Sequence, residues 1–247
     1  KNLHIAASGN YNLFTTTNAT YDPTLHVEDC TVDAAYNVVY DSHNTQNFKS
    51  VYFGNSIVKM TVANKPFYST KAKDAHTQQL IRLDNNVFYA ETPLQNYLIN
   101  CGDRSQAFQT TRLQVEVTNN TIYNIYQPNI MIRAYVLAGL TVTKNVGYYT
   151  GVTAKNYLTG VYDTAGFTAD KAEVTYNYLY TAPVSDTNFW SAKHTGSYTP
   201  ANNQMGDGVE APFSSMDAAK GYFPVDASVV KTGAGATYDT KAWFKAE

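Results

Sequence analysis

Arg82 and Asp84 stand two positions apart. Glu116 occupies the Arg82 position of a repeated pattern whose copies are here 34 residues apart, Asn86 to Asn120. A basic residue among carboxylates is the minimum set for β-elimination of a uronic-acid polymer. In that chemistry a cation neutralises the substrate carboxylate and a base removes the adjacent proton. Inverting glycoside hydrolysis instead needs two carboxylates roughly 6.5–9.5 Å apart, which Asp84 and Glu116 would supply. The same three residues also make an ordinary solvated salt-bridge patch, worth little to stability. Arg133 alternates outward from the apolar run Ile130-Met131-Ile132-Arg133-Ala134-Tyr135, where it either meets an acidic sugar or is a plain surface cation. The third group is aromatic: Tyr89, Tyr123, Tyr148 and Tyr180 each lie three residues past a repeated corner. Stacked in one file, they either offer a strip to the C–H faces of sugar rings or stack on one another beneath a loop and stiffen the wall.

All of these positions depend on one repeat. An apolar residue, two variable residues, a small polar residue, a spacer and a second apolar residue recur six times, with Cys30, Ser56, Asn86, Asn120, Asn145 and Asn177 at the small polar position. The spacings of 26, 30, 34, 25 and 32 residues are those of a solenoid. Within a copy the period is two: Val115, Val117 and Ile122 alternate with Glu116 and Thr118, as in strands with one buried face. Asn119-Asn120 interrupts the alternation where a sharp corner is needed, since Asn tolerates the left-handed conformation. The second strand runs over 130–137, and Ala138-Gly139 are expected to turn the chain again. Each coil is read as two or three short strands, paired with their equivalents about 4.8 Å above. The expectation is an all-β, single-stranded right-handed parallel β-helix of about six coils. Stacked corner amides should form a ladder. Ser56 and Cys30 interrupt it, so the N-terminal coils are expected to be less regular.

The body is expected over residues 1–182 and a capping segment, folded back along it, over 183–247, where the repeat is lost and Trp190, Trp243, Pro183, Pro200, Pro212 and Pro224 cluster. Solenoids need caps because a terminal coil exposes core and unpaired strand edges. A net charge of −2, 15% charged residues and no basic tract argue against nucleic acid as partner. No apolar run approaches the roughly 18 residues of a membrane helix. The abrupt start at Lys1 fits a removed leader. Cys30 and Cys101 are too few for a disulfide framework and are read as buried thiols. The five histidines share no ligand spacing, so no metal site is expected. Asn18-Ala19-Thr20 and Asn119-Asn120-Thr121 match glycosylation acceptors, a pattern that also arises by chance.

The repeated corner resembles that of the right-handed parallel β-helix in the pectin/pectate lyase-like superfamily. The stretch from Gly221-Tyr222-Phe223-Pro224 to Gly233-Ala234-Gly235-Ala236 is similar to the closing segment of Bacteroidetes members, several of them surface or periplasmic proteins. The resemblance implies a secreted, periplasmic or cell-surface protein. The acidic calcium-ligand motifs of the superfamily's lyases and the paired Asp-Asp of its polygalacturonases are absent, as are nucleophile-elbow, Walker, Rossmann and His-Glu-x-x-His motifs. The leading expectation is therefore a non-catalytic polysaccharide-recognition protein, with Tyr89, Tyr123, Tyr148, Tyr180 and Arg133 in contact with the glycan. The alternatives are a lyase or hydrolase of an acidic plant polysaccharide using Arg82, Asp84 and Glu116, with Ca²⁺ as cofactor in the lyase case, and a structural or adhesive spacer.

Overall fold

The structure, a computed structural model, describes residues 3–6, 9, 11–16, 23–34, 36–41, 48–70, 79–101, 113–128, 130–135, 137–149, 157–162, 169–180, 189–191, 198–206 and 211–241. Asn18, His43, His76, His194 and Trp243 lie outside them, as does the side chain of Tyr135.

The chain is a parallel β-solenoid of three sheets. The first has eight strands, from His4–Ala6 to Gln204–Met205; the second has seven, from Phe14–Thr16 to Trp190–Ser191; the third has six, from Thr24–Glu28 to Ala172–Thr175. Every strand pair is parallel and joins one coil to the next. Each complete coil visits the three sheets in turn, so it has three strands. The corner after the second strand falls between Ile130–Tyr135 and Leu137–Thr143, not at Ala138-Gly139. A 3₁₀ turn, Ala169–Lys171, leads into the last strand of the third sheet.

The tight corner from third to first sheet accounts for the repeat. Its first residue is left-handed in every copy: Asp29, Asn55, Asn85, Asn119, Lys144, Tyr176 and Asn202 all have φ between 50° and 58°. Asn and Asp tolerate this locally. At Lys144 and Tyr176 the paired sheets on both sides impose it. The next residue points inward and builds the ladder. Asn145 Oδ1 accepts from the Asn120 backbone N–H and Nδ2, both at 3.0 Å, and Asn145 Nδ2 donates to Val117 O at 2.8 Å. At Asn86 the Oδ1 accepts the Ser56 backbone N–H, and Nδ2 donates to Phe53 O. The full triplet recurs at Asn120 and Asn177. It continues one coil past the sixth copy: Asn177 donates to Asn203 Oδ1, and Asn203 Nδ2 bonds Val174 O at 2.9 Å. The stack therefore runs beyond residue 182, with Trp190–Ser191 and Gln204–Met205 as added strands. It is also taller than six corners, because His4–Ala6 pairs beneath Thr31–Ala34.

At the N-terminal end the ladder changes chemistry without loss of shape. Ser56 Oγ accepts the Cys30 N–H at 3.1 Å and donates to Gly54 O at 2.7 Å. Asp29 and Asn55 keep the same φ, and five residue pairs join Thr24–Glu28 to Ser50–Gly54 in register. A hydroxyl thus replaces the amide acceptor, and the expected irregularity is absent from these corners. Both cysteines are buried thiols.

The interior holds one apolar core, to which the third sheet contributes Val27, Phe53, Leu83, Val117, Val142 and Val174. Phe53, Phe67 and Phe88 meet edge to face, with centroids 4.9 and 4.8 Å apart. A second core lies on the opposite side of the first sheet. There Ile57, Val87, Tyr89, Val146 and Tyr178 face outward against Phe213, Phe223, Val230, Ala234 and Ala236 of the segment 211–241. This strap is pinned to the corners: Gly235 N donates to Lys144 O, Ala236 N to Thr121 Oγ1, and Thr237 N to Asn85 Oδ1. Gly221, at φ 65°, lies so close to the sheet that a Cβ there would come within 2.7 Å of Tyr89 and 2.8 Å of Ile57.

Lys241 ends the described strap, fully buried, with Nζ donating to Asn85 O at 2.9 Å and Thr237 O at 2.7 Å. Burial lowers its pKa to about 8, against the upward pull of Asp29 and Asp84. Between about 8 and 10.5 the folded chain thus binds fewer protons than the unfolded chain, and stability should rise with pH. Burial raises Tyr89 to about 12, helped by Asp33, Glu91 and Asp217. The folded chain keeps that proton longer, so its contribution is lost as pH climbs from 10 toward 12. Urea midpoints should therefore peak near pH 10. Lys241→Met should flatten the rise and leave the fall. An unchanged rise in that variant would exclude Lys241 as its source.

Candidate functional site

The three groups singled out from the sequence occupy three different places. Arg82, Asp84 and Glu116 lie on the outer face of the third sheet, where Arg82 pairs with Glu116 and Asp84 with Thr118 across adjacent strands. The Glu116 carboxylate is held from both sides, by Arg82 Nε at 3.4 Å and Gln114 Nε2 at 2.7 Å. Asp84 Oδ1 accepts from the Thr118 hydroxyl at 2.6 Å and Asn119 Nδ2 at 3.1 Å. Arg82 also reaches over the Tyr52 ring, 6.0 Å from its centroid. The face is a network of mutually satisfied polar groups. Among the described residues, no group of three or more His, Cys, Asp or Glu could hold a metal ion.

The tyrosines do form one file: the register aligns Tyr89 with Tyr123, Tyr123 with Tyr148, and Tyr148 with Tyr180. Tyr123 and Tyr148 stack at 5.1 Å and 3°, Tyr148 and Tyr180 at 5.0 Å and 15°. The strip is not open, however. Phe223 from the strap stacks on Tyr123 at 4.0 Å and tilts against Tyr89 at 5.9 Å, and Phe213 leans on Tyr123 and Tyr148. Tyr89 is only 4% exposed. Burial pushes the Tyr123 and Tyr148 phenols above their usual pKa. Rings of this chain occupy the position a sugar ring would take.

Arg133 belongs to a third place, the outer side of the second sheet. Successive coils enter that sheet through Tyr11-Asn12-Leu13, Tyr36-Asn37-Val38, Lys65-Pro66-Phe67 and Asn96-Tyr97-Leu98. The last residue of each triplet turns inward; Val38, Phe67 and Leu98 have no exposure. Backbone bonds from Phe14 N to Val38 O, Val39 N to Phe67 O and Tyr68 N to Leu98 O stack the triplets in register. The first two residues of each triplet then lie along the solenoid axis. Of these, Asn12, Tyr36, Asn37, Lys65, Pro66 and Tyr97, with Asn64, Tyr40, Ser69 and Asn100, enclose a groove of about 400 Å³, within the usual range for small-molecule sites.

The groove is polar and aromatic. Asn12, Asn37, Asn64 and Asn100 line it together with Tyr36, Tyr40 and Tyr97, and none of its described lining residues is acidic. Asn37 Nδ2 donates to Asn12 Oδ1 at 2.7 Å, which fixes both amides. Lys65 Nζ donates to the Tyr36 hydroxyl at 2.6 Å and lies 3.9 Å from that ring's centroid. At the other end Arg133 donates to Asn100 Oδ1 through Nε at 2.9 Å and Nη2 at 2.5 Å, and its guanidinium lies 4.8 Å from the Tyr97 ring centroid. Of the residues singled out from the sequence, only Arg133 adjoins this groove. A signal for the rest was present: Tyr-Asn followed by an apolar residue at 11–13 and 36–38, and Asn-Tyr-Leu at 96–98, form a second recurrence out of phase with the first.

No known protein family, curated protein or solved structure matches the chain.

Proposed function

We propose that this chain is a polysaccharide-recognition protein, acting at or outside the cell surface, that binds glycan along the groove on the second sheet. The observation that carries the reading is the lining itself. Tyrosine rings present flat apolar faces to sugar C–H groups, and fixed asparagine amides both donate and accept, as sugar hydroxyls require. The reading includes membership of the pectin/pectate lyase-like superfamily, supported by the repeated corner, the asparagine ladder and the three parallel sheets. It also takes binding as non-catalytic, supported by carboxylates on the Arg82 face that are already occupied by Arg82, Gln114, Thr118 and Asn119.

Affinity electrophoresis against a broad polysaccharide panel tests it. At least one glycan should retard the protein. Tyr97→Ala should weaken that retardation roughly three- to tenfold, the value of one aromatic contact, with an unchanged circular dichroism spectrum. Tyr180→Ala, on the strap-covered file, should leave retardation unaltered. Indifference to Tyr97→Ala, or no retardation by any glycan, would refute the reading. Unsaturated uronate products in the same incubations, lost in Arg82→Ala, would transfer the activity to the third sheet.

A further inference from the structure

Resting on that glycan-binding reading, we propose that the groove selects sugars carrying an acetamido group, which enters a pit at the third coil. The pit follows from side-chain size. The register places Tyr40, Ser69 and Asn100 in one outward file on successive strands. Across the groove the stacked triplets place Asn37, Pro66 and Tyr97 in a second file. Both files dip at the third coil: Ser69 is 8% exposed and Pro66 is buried, whereas Tyr40, Tyr97 and Asn100 are part-buried. Tyr36 and Tyr40 of the second coil therefore wall the pit on one side, and Tyr97 and Asn100 of the fourth on the other, each wall about 4.8 Å along the axis from the floor.

The pit offers three kinds of contact. Pro66 presents an apolar ring and no N–H. The Ser69 hydroxyl makes no hydrogen bond to a described residue, although the residue is buried and lines the groove. A hydroxyl so placed gains from any ligand group that pairs it. Asn100 Oδ1 is occupied by Arg133, which leaves Nδ2 to donate. An acetamido group matches all three. Its N–H donates to Ser69 Oγ, its carbonyl accepts from Asn100 Nδ2, and its methyl rests on Pro66. Ser69 and Asn100 are paired across adjacent strands, close enough for one amide to bond both. A sugar hydroxyl in the same place pairs Ser69 or Asn100 but leaves Pro66 uncovered. A carboxylate would be desolvated against Pro66, while the Lys65 ammonium is held on the Tyr36 ring and hydroxyl. A free amine lacks both carbonyl and methyl, and it brings a second cation beside Lys65.

The test compares by calorimetry three soluble hexasaccharides that share one β-linked glucose-type backbone. Chitohexaose carries an acetamido group on every ring, cellohexaose a hydroxyl in its place, and the fully deacetylated hexamer an ammonium. Chitohexaose should bind about tenfold tighter than either of the others, or more, as two net hydrogen bonds allow. Ser69→Ala, which removes the hydroxyl, should weaken chitohexaose binding about threefold. Ser69→Gln, which fills the pit, should weaken it about tenfold and leave cellohexaose within about twofold, with an unchanged circular dichroism spectrum. Equal or tighter binding of cellohexaose or the deacetylated hexamer, or a Ser69→Gln variant that binds chitohexaose like the parent, would overturn the pit and leave glycan binding standing. If none of the three binds while another glycan of the broad panel does so through Tyr97, the acetamido selection is likewise wrong. Failure of every glycan would remove the reading beneath it as well.

Discussion

Asn145→Ala is expected to lower the unfolding free energy by about 4–6 kcal/mol, a large fraction of what a domain possesses. The loss has identifiable parts. Asn145 is fully buried, and its Oδ1 accepts the Asn120 backbone N–H, which the substitution leaves inside the core without a partner. Its Nδ2 bonds to Val117 O, Thr143 O and Asn177 Oδ1 are lost as well. An orphaned buried group costs about 1–3 kcal/mol, and each lost bond about 1 more. Asn145→Ser should recover about half, because Ser56 shows what a hydroxyl does at the same station: it accepts one backbone N–H and donates to one carbonyl. Urea denaturation of the three proteins measures this order. A Ser variant no better than Ala would mean that the ladder acts through shape and not through the acceptor.

The ladder also shows how much of the fold was legible in the sequence. A residue type that must sit at a left-handed corner, next to one that must satisfy backbone groups in the core, leaves a pattern no helix or ordinary sheet produces. The spacing of Asn86, Asn120, Asn145 and Asn177 therefore revealed the stacking and the outward files before any coordinates. Asn203 carried the same signal in Asn202-Asn203-Gln204-Met205. The copy is disguised because Pro200 stands where earlier copies have Val, Leu or Phe. The sequence set a capping segment over 183–247, whereas Trp190–Ser191 and Gln204–Met205 still add strands to the stack, and the target of the strap 211–241, the first sheet, was not foreseen. The clue lay in strands of the first sheet, where Val87-Phe88-Tyr89-Ala90 is apolar without alternation, as expected of a strand buried on both faces. The groove was harder to see, because it assembles from one or two residues per coil whose types are common in turns. Their meaning comes from register, which the corner copies fix only for the strands beside them.

The strap leads to the second large effect. Phe223→Ala should cost about 3–5 kcal/mol by the usual scale for a buried Phe, because Phe223 has no exposure and ends the stack formed by Tyr123, Tyr148 and Tyr180. The loss should be local. The strap adds no strand to the sheets; its described bonds to the solenoid are single contacts such as Gly235 N to Lys144 O and Thr237 N to Asn85 Oδ1. Hydrogen exchange at Gly235, Ala236 and Thr237 should therefore accelerate markedly, while the amides of Asn120, Asn145 and Asn177 keep their protection. The tyrosines give an independent readout. Burial holds Tyr89 near a pKa of about 12, and lifting the strap should return it toward the ordinary value of about 10, visible as an added phenolate in a spectroscopic titration. Uniform loss of protection across ladder and strap would show instead that the two cores unfold as one unit. The strap would then be part of the wall itself, and the tyrosine file would be closed for as long as the solenoid stands.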